Sequence, residues 1–248
     1  MAHYQVFACE VLFREFCYEA SRSPNTIDIK FNRFGLHDIG SGKMAAELQA
    51  LVDSVQDKSC DAVLFGYGLC NNGIVGLKAK SIPLVIPRAH DCITLLLGSK
   101  ERYQQEFNKE PGTNYRSPGW IEHHHPLKAE EHVANKLGLG MPYKKMVELY
   151  GEENAKYLKA TMANMDTHVK NYKRLLYVDT GLGPLNELTA ISRQEAEKNN
   201  LKFKIIKGSR ALIKKMLNGD WNTRDFLVVN PGQSIKPSYD NEILKTSS

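Results

Sequence analysis

The chain has 248 residues, 42% hydrophobic and 25% charged, the balance of an ordinary globular protein long enough to bury one large core or two small ones. That excludes a disordered chain, a collagen-like chain and a disulfide mini-scaffold. Lys and Arg number 33 against 28 Asp and Glu, and the formal charge of +5 suits an anionic small molecule but is too small to argue for nucleic acid.

No apolar run reaches the roughly 18 residues of a membrane helix. The N-terminus, Met1-Ala2-His3-Tyr4, lacks a basic segment followed by an apolar stretch and a cleavage site. The expected setting is the cytoplasm, away from membranes, where thiols are more often buried, catalytic or metal-bound than paired.

Taken in order, Tyr4 to Cys9 reads as a short buried strand and Glu10 to Ala20 as a helix, with Leu12, Phe13, Phe16 and Cys17 at helical spacing. A second strand at Thr26 to Phe31 leads to an amphipathic helix carrying Met44, Leu48, Leu51, Val52 and Val55 on one face. Asp61 to Phe65 is the third strand and runs into the turn-rich Gly66 to Gly73, followed by a short helix at Ile74 to Ala79. Ile82 to Pro87 is the fourth strand. Asp91 to Glu106 is a helix whose N-cap is Asp91. Pro111 to Pro126 is aromatic and turn-rich, reading as a long loop over a site, and Lys128 to Tyr172 is helical in pieces. Alternation resumes with strands at Leu175 to Asp179, Lys202 to Lys207 and Asp225 to Asn230, between helices at Leu185 to Asn199 and Ser209 to Asn218. The residues from Gln233 onward are polar and suggest an extended tail or an oligomer arm.

Strands separated by helical crossovers imply parallel pairing. The expected fold is α/β, with mainly parallel sheet or sheets, helices on both faces, Rossmann-like, and a helical insertion or lid. The expected divisions are 1–110 for the first lobe, 111–172 for the insertion, 173–232 for a second α/β portion and 233–248 for the tail.

Open α/β sheets bind ligands at the carboxyl ends of their strands. Cys9 closes the first strand, Cys70 lies just past the third and Cys92 follows the fourth, so parallel pairing would bring these thiols to one edge. Cys60 precedes its strand and Cys17 lies on the apolar face of a helix, so both read as small buried hydrophobes. Three thiolates from separate loops give three corners of a 4Fe-4S cluster with one open iron, or all but one ligand of a zinc ion. Glu10, Arg14, Asn71, Arg88 and Lys100 would bind or orient an anionic substrate, and His90, Tyr103 and Glu122 are the proton-transfer candidates. The helix start at Cys92 and the nearby Arg88 would lower that thiol's pKa.

Weaker signals are set aside. Gly40-Ser41-Gly42-Lys43 lacks the earlier glycine and the hydroxyl of a phosphate loop. His123-His124-His125 could offer one or two metal ligands, and Asp166-Thr167-His168 only begins a corrinoid-binding signature, with Asn171 at its glycine position.

Ala8-Cys9-Glu10, Gly66-Tyr67-Gly68-Leu69-Cys70, the run Pro87 to Ser99 and Pro118-Gly119-Trp120-Ile121-Glu122 together resemble the domain-of-unknown-function 1638 family over most of the chain. The resemblance implies a cytoplasmic protein of anaerobic bacteria or methanogenic archaea, associated with corrinoid-dependent one-carbon and methylamine metabolism. It also implies that cysteines 9, 70 and 92 act together. A looser, architectural likeness is to quinolinate synthase and the 2-hydroxyacyl-CoA dehydratases, where three cysteines hold a 4Fe-4S cluster with a vacant iron. The expected function is therefore a metal-dependent enzyme, the alternatives being a zinc-thiolate methyltransferase or hydrolase and a non-catalytic accessory protein. A small-molecule substrate is the expected partner, with a corrinoid protein, a methyltransferase or a second copy of the chain as further candidates.

Overall fold

The computed structural model describes residues 1–57, 59–123, 143–165 and 172–247. Strand β1 (His3–Cys9) passes through one 3-10 turn into helix α1 (Phe13–Ala20), strand β2 (Thr26–Asn32), helix α2 (Ser41–Ser54), strand β3 (Ala62–Gly66) and strand β4 (Leu84–Pro87). Helices α3 (Cys92–Leu97) and α4 (Lys100–Lys109) follow, then β5 (Thr113–Arg116), α5 (Pro118–Glu122), α6 (Tyr143–Tyr150) and α7 (Glu152–Met165). The remainder is β6 (Arg174–Asp179), α8 (Leu185–Lys198), β7 (Lys202–Lys207), α9 (Ala211–Asn218), β8 (Phe226–Val229), β9 (Ser234–Pro237) and β10 (Leu244–Ser247).

The first sheet has the order β2-β1-β3-β4-β8, parallel from β2 to β4 and antiparallel at β8. The chain steps outward from β1 to β2, then returns to place β3 on the other side of β1, so the strand order reverses between β1 and β3. Right-handed crossovers then require α1 and α2 to lie on opposite faces. The core follows the two-residue period of the strands. Val6, Ala8, Leu64 and Val85 pack with Leu12, Phe16, Leu95 and Ile213, whereas Phe7, Val63, Phe65 and Leu84 pack with Met44, Leu48 and Val52 of α2. Each large side chain buried in this way contributes about 2 to 3 kcal/mol.

A second, parallel sheet has the order β5-β6-β7. Leu188, Ser192 and Ala196, four residues apart along α8, form that helix's buried stripe, and Leu175 to Val178 of β6 are buried throughout. This is the Rossmann-like α/β class that the alternation predicts. Among the described residues no helix is long and apolar enough to cross a membrane.

Several local expectations are corrected. Residues 74–76 form a turn and Lys78 bridges to Ser234 where a helix is expected, because Gly76 takes φ +88° and the three residues Cys70, Asn71 and Asn72 before this segment are left-handed. The helix expected from Asp91 to Glu106 divides at Gly98, whose φ is +85° and whose added Cβ would lie 2.5 Å from that of Ser209. The loop from Pro111 contributes a strand and a short helix to the second sheet's side of the molecule. The segment from Gln233 is not an extended tail: β9 and β10 form an antiparallel hairpin that buries Ile235, Ile243 and Leu244 against the first sheet. Helix α1 exposes Cys17 and buries Glu15 and Glu19 instead. Of the helical insertion, α6 and α7 are described; His124, His125 and the Asp166-Thr167-His168 triplet lie outside the described residues.

Candidate functional site

Cys9 is the last residue of β1, and its neighbour Ala8 is in register with Gly66, the last residue of β3. The two strand ends approach so closely that a Cβ on Gly66 would lie 2.6 Å from that of Ala8. Beyond Gly66, the chain is tied to the loop after β4: the Leu69 amide donates to the Ala89 carbonyl at 2.8 Å and the Cys70 amide to the His90 carbonyl at 2.9 Å. Gly68 makes this possible, since a side chain there would strike the Asp91 backbone at 2.6 Å. Cys70, Asn71 and Asn72 then occupy the left-handed region at φ 45°, 56° and 64°. Asparagine tolerates that conformation, whereas for Cys70 it is a local strain.

Asp91 caps α3 as the sequence predicts: its Oδ1 accepts from the amides of Ile93 at 3.0 Å and Thr94 at 3.3 Å. Cys92 is thereby fixed at the first position of that helix. The three loops bring Cys9, Cys70 and Cys92 into the wall of one cavity of about 510 Å³, at the end of the first sheet where the strand order reverses. Cys9 is buried and the other two partly so; all three are free thiols. Among the described residues no group of three or more His, Cys, Asp or Glu side chains is arranged to hold a metal ion.

The opposite wall comes from the second sheet and α5. A Cβ on Gly119 would lie 2.1 Å from the Val11 carbonyl oxygen, so α5 rests directly on the turn after β1 and sets Trp120 over the cavity. Arg116 stacks on the Trp120 ring at 3.6 Å, and Phe34 meets the same ring edge-on at 5.3 Å. Tyr67, Tyr103 and Tyr115 complete an aromatic lining. Tyr103 donates from its hydroxyl to Asp91 Oδ2 at 3.3 Å, and Asn32 Nδ2 donates to the Tyr67 hydroxyl at 3.1 Å.

The thiols are weak acids in this setting. Burial pushes Cys9 up to about 11. Burial, then Asp91 and the neighbouring thiols, push Cys70 and Cys92 up as well. The expected lowering at Cys92 therefore does not occur. Arg88 cannot supply it, because its guanidinium is held by the carbonyls of Thr223 at 2.8 Å, Glu242 at 2.9 Å and Leu244.

Of the residues expected at the site, Cys9, Cys70, Cys92, Asn71 and Tyr103 line the cavity. Six do not. Arg14 and Glu122 are joined to each other by two hydrogen bonds, at 2.7 and 2.6 Å. Glu10 accepts from the Phe34 amide at 3.1 Å. Lys100 donates to the Asn241 carbonyl at 2.9 Å and, with the exposed His90, borders a separate surface pocket. Arg88 is the sixth. His123 is also elsewhere, its ring 5.6 Å from that of Phe13. Sequence reasoning missed Tyr67, Glu110, Tyr115, Arg116 and Trp120 as lining residues, although Trp120 and Tyr115 lie in the segment read as a loop over a site.

The family described as a protein of unknown function, DUF1638, matches residues 31–217. The matched stretch contains Cys70 and Cys92 and begins after Cys9. No curated protein and no solved structure matches the chain.

Proposed function

The chain belongs to the DUF1638 family, and from its cavity we propose a metal-dependent enzyme in which Cys9, Cys70 and Cys92 hold a 4Fe-4S cluster that acts on a small molecule. The observation that carries this reading is the presence of three thiols, from three strand ends, in the wall of one cavity at the reversal of strand order. The donor set fits the group: soft thiolates suit iron-sulfur clusters, and three of them leave one iron without a protein ligand. The thiols do not stand as a finished metal site, so ligation has to draw them together. Their raised pKa values also fit. Three thiols gathered beside a carboxylate without a neutralising cation hold their protons, and a soft cation would release them.

When bound, the cluster would supply Lewis-acid polarisation of a guest oxygen, nitrogen or sulfur through its open iron. The chain's own residues do the rest. Trp120, Phe34 and Tyr115 line the cavity with aromatic surface that would limit water around a guest. Tyr103 holds its proton on Asp91, and the Tyr67 hydroxyl, which accepts from Asn32, keeps its proton free for a guest or a thiolate. Zinc on the same thiols is the alternative.

The test is anaerobic purification followed by iron, zinc and sulfide analysis, repeated for Cys9→Ser, Cys70→Ser and Cys92→Ser. The cluster reading expects brown protein with iron and sulfide in equal amounts, and loss of both in each variant with the helical content unchanged. Colourless protein with one zinc favours the alternative. Full metal content in all three variants removes both.

A further inference from the structure

We propose that two copies of this chain pair through strand β2, laid antiparallel about a two-fold axis at Ile29, so that the first sheet continues from one copy into the other. The proposal goes beyond the thiol site and does not depend on what that site holds.

The edge is open. Among the described residues β1 is the one strand beside β2, so one row of the strand's backbone groups has no ladder partner there. The Thr26 amide, which donates to the Ala2 carbonyl at 2.9 Å, says which row. In a parallel ladder the residues of a strand turn their N–H and C=O groups alternately to one side and the other. Thr26, Asp28, Lys30 and Asn32 therefore bond to β1, and Ile27, Ile29 and Phe31 point theirs away from it. Such a row is a template for a further strand.

The order of side chains says which strand. Thr26-Ile27-Asp28-Ile29-Lys30-Phe31-Asn32 is complementary to its own reverse. Turned about Ile29, Ile27 meets the partner's Phe31, Ile29 meets the partner's Ile29, and Asp28 meets the partner's Lys30. The backbone agrees, because the three outward residues then face one another as hydrogen-bonded pairs, with about six bonds in all. Asp28 and the partner's Lys30 fall in the closer, non-bonded pairs, where opposite charges attract. A slip of the register in either direction that keeps those bonds sets Asp28 against its own copy or Lys30 against its own, so the charges select one register.

Both charged side chains are exposed, Asp28 holding His3 Nε2 at 2.7 Å through one oxygen. On the opposite face Ile27, Ile29 and Phe31 are half-buried beside Leu12 and Ile213, and the exposed Phe13 lies on Phe31 with ring centres 4.9 Å apart. Pairing would join two such apolar strips. Strand β7, at the edge of the second sheet, is the contrast: Lys202, Lys204 and Lys207 with no acid among them blunt that edge.

The experiment is sedimentation velocity of the full-length protein from about 1 to 200 μM, with residue-resolved hydrogen exchange at both ends of that range. The chain is expected to pass reversibly from one copy to two. The amides of Ile27, Ile29 and Phe31 should gain protection in the dimer, while those of Asp28 and Lys30, already bonded to β1, stay protected throughout. Asp28→Lys and Lys30→Glu should each weaken the dimer about tenfold, since each makes both cross-strand charge pairs repulsive. The double variant, its charges exchanged, should return to the original Kd, and the two single variants mixed should form a mixed dimer in preference to either alone. A monomer at every concentration, a Kd that neither reversal moves, a double variant that fails to restore pairing, or a dimer without protection at the three alternate amides overturns the proposal.

Discussion

The Cys9 thiol shows how much of this site is set by a single side chain's surroundings. Burial raises it to about 11, so the folded metal-free protein keeps a proton that the unfolded chain releases at a lower pH. A thiol raised in the folded state stabilises below its unfolded pKa, and that contribution is lost as pH climbs toward the folded value. Metal-free protein should therefore lose roughly 2 to 3 kcal/mol of stability between about pH 8 and 11 from Cys9 alone. Urea unfolding across that range, compared with Cys9→Ala, checks it; an unchanged slope in the variant would assign the loss elsewhere. Cys70 offers a second residue-scale test. Its left-handed backbone is a conformation that glycine adopts freely, so Cys70→Gly should be at least as stable as Cys70→Ser although both remove the thiol. The thiols themselves were legible, because a residue at a parallel strand's carboxyl end has only one edge of the sheet to occupy. The basic residues were not. Arg14, Arg88 and Lys100 have side chains long enough to reach several partners, and only the packed structure says which carbonyl or carboxylate each one finds.

Elements show a similar division. Alternating apolar residues and helical spacing located all seven strands that the sequence suggests, but the hairpin β9-β10 escaped notice because its apolar content is confined to Ile235, Ile243 and Leu244. Its docking depends on Arg88, whose side chain is almost buried and donates to Glu242 and Leu244 of the hairpin and to Thr223. Arg88→Ala should cost about 2 to 4 kcal/mol, several charge-assisted bonds being lost from a buried position, and should expose the C-terminal hairpin to proteolysis while leaving thiol ligation unchanged. Arg88→Lys should not restore it, since one ammonium cannot reproduce the fork. A loss of metal or guest binding in proportion to the loss of stability would instead return Arg88 to the site. Helix α5 gives the complementary case. Its Pro118-Gly119-Trp120 reads as a turn, yet Gly119 is there because α5 lies on the Val11 carbonyl with no space for a methyl group. Gly119→Ala should destabilise by about 1 to 3 kcal/mol and shift Trp120 emission, measured by urea unfolding and fluorescence.

At the scale of the molecule, the cavity belongs to neither sheet alone: its thiols come from the first and its aromatic lid from the segment that feeds the second. The two are joined by polar groups that no periodicity reveals. Glu15 of α1 accepts from the Thr180 hydroxyl at 2.6 Å, Glu19 holds Arg210 at 2.9 Å, and the second oxygen of Glu15 is buried without a partner. Burial raises the Glu15 carboxyl, so its contribution to stability is present in acid and is lost as pH rises through its folded pKa. Glu15→Gln keeps an acceptor for Thr180 and removes that loss; the variant should be the more stable protein at neutral pH, and a less stable one would mean that the charge of Glu15 is needed to hold the sheets together. The three thiols around one centre remain the claim on which the functional reading stands. X-ray absorption at the edge of whatever metal the anaerobically prepared protein retains reads it most directly. The account predicts sulfur neighbours at about 2.3 Å, and loss of the metal edge itself in each of the three serine variants; a shell of nitrogen and oxygen alone, or one that none of the variants alters, would contradict it.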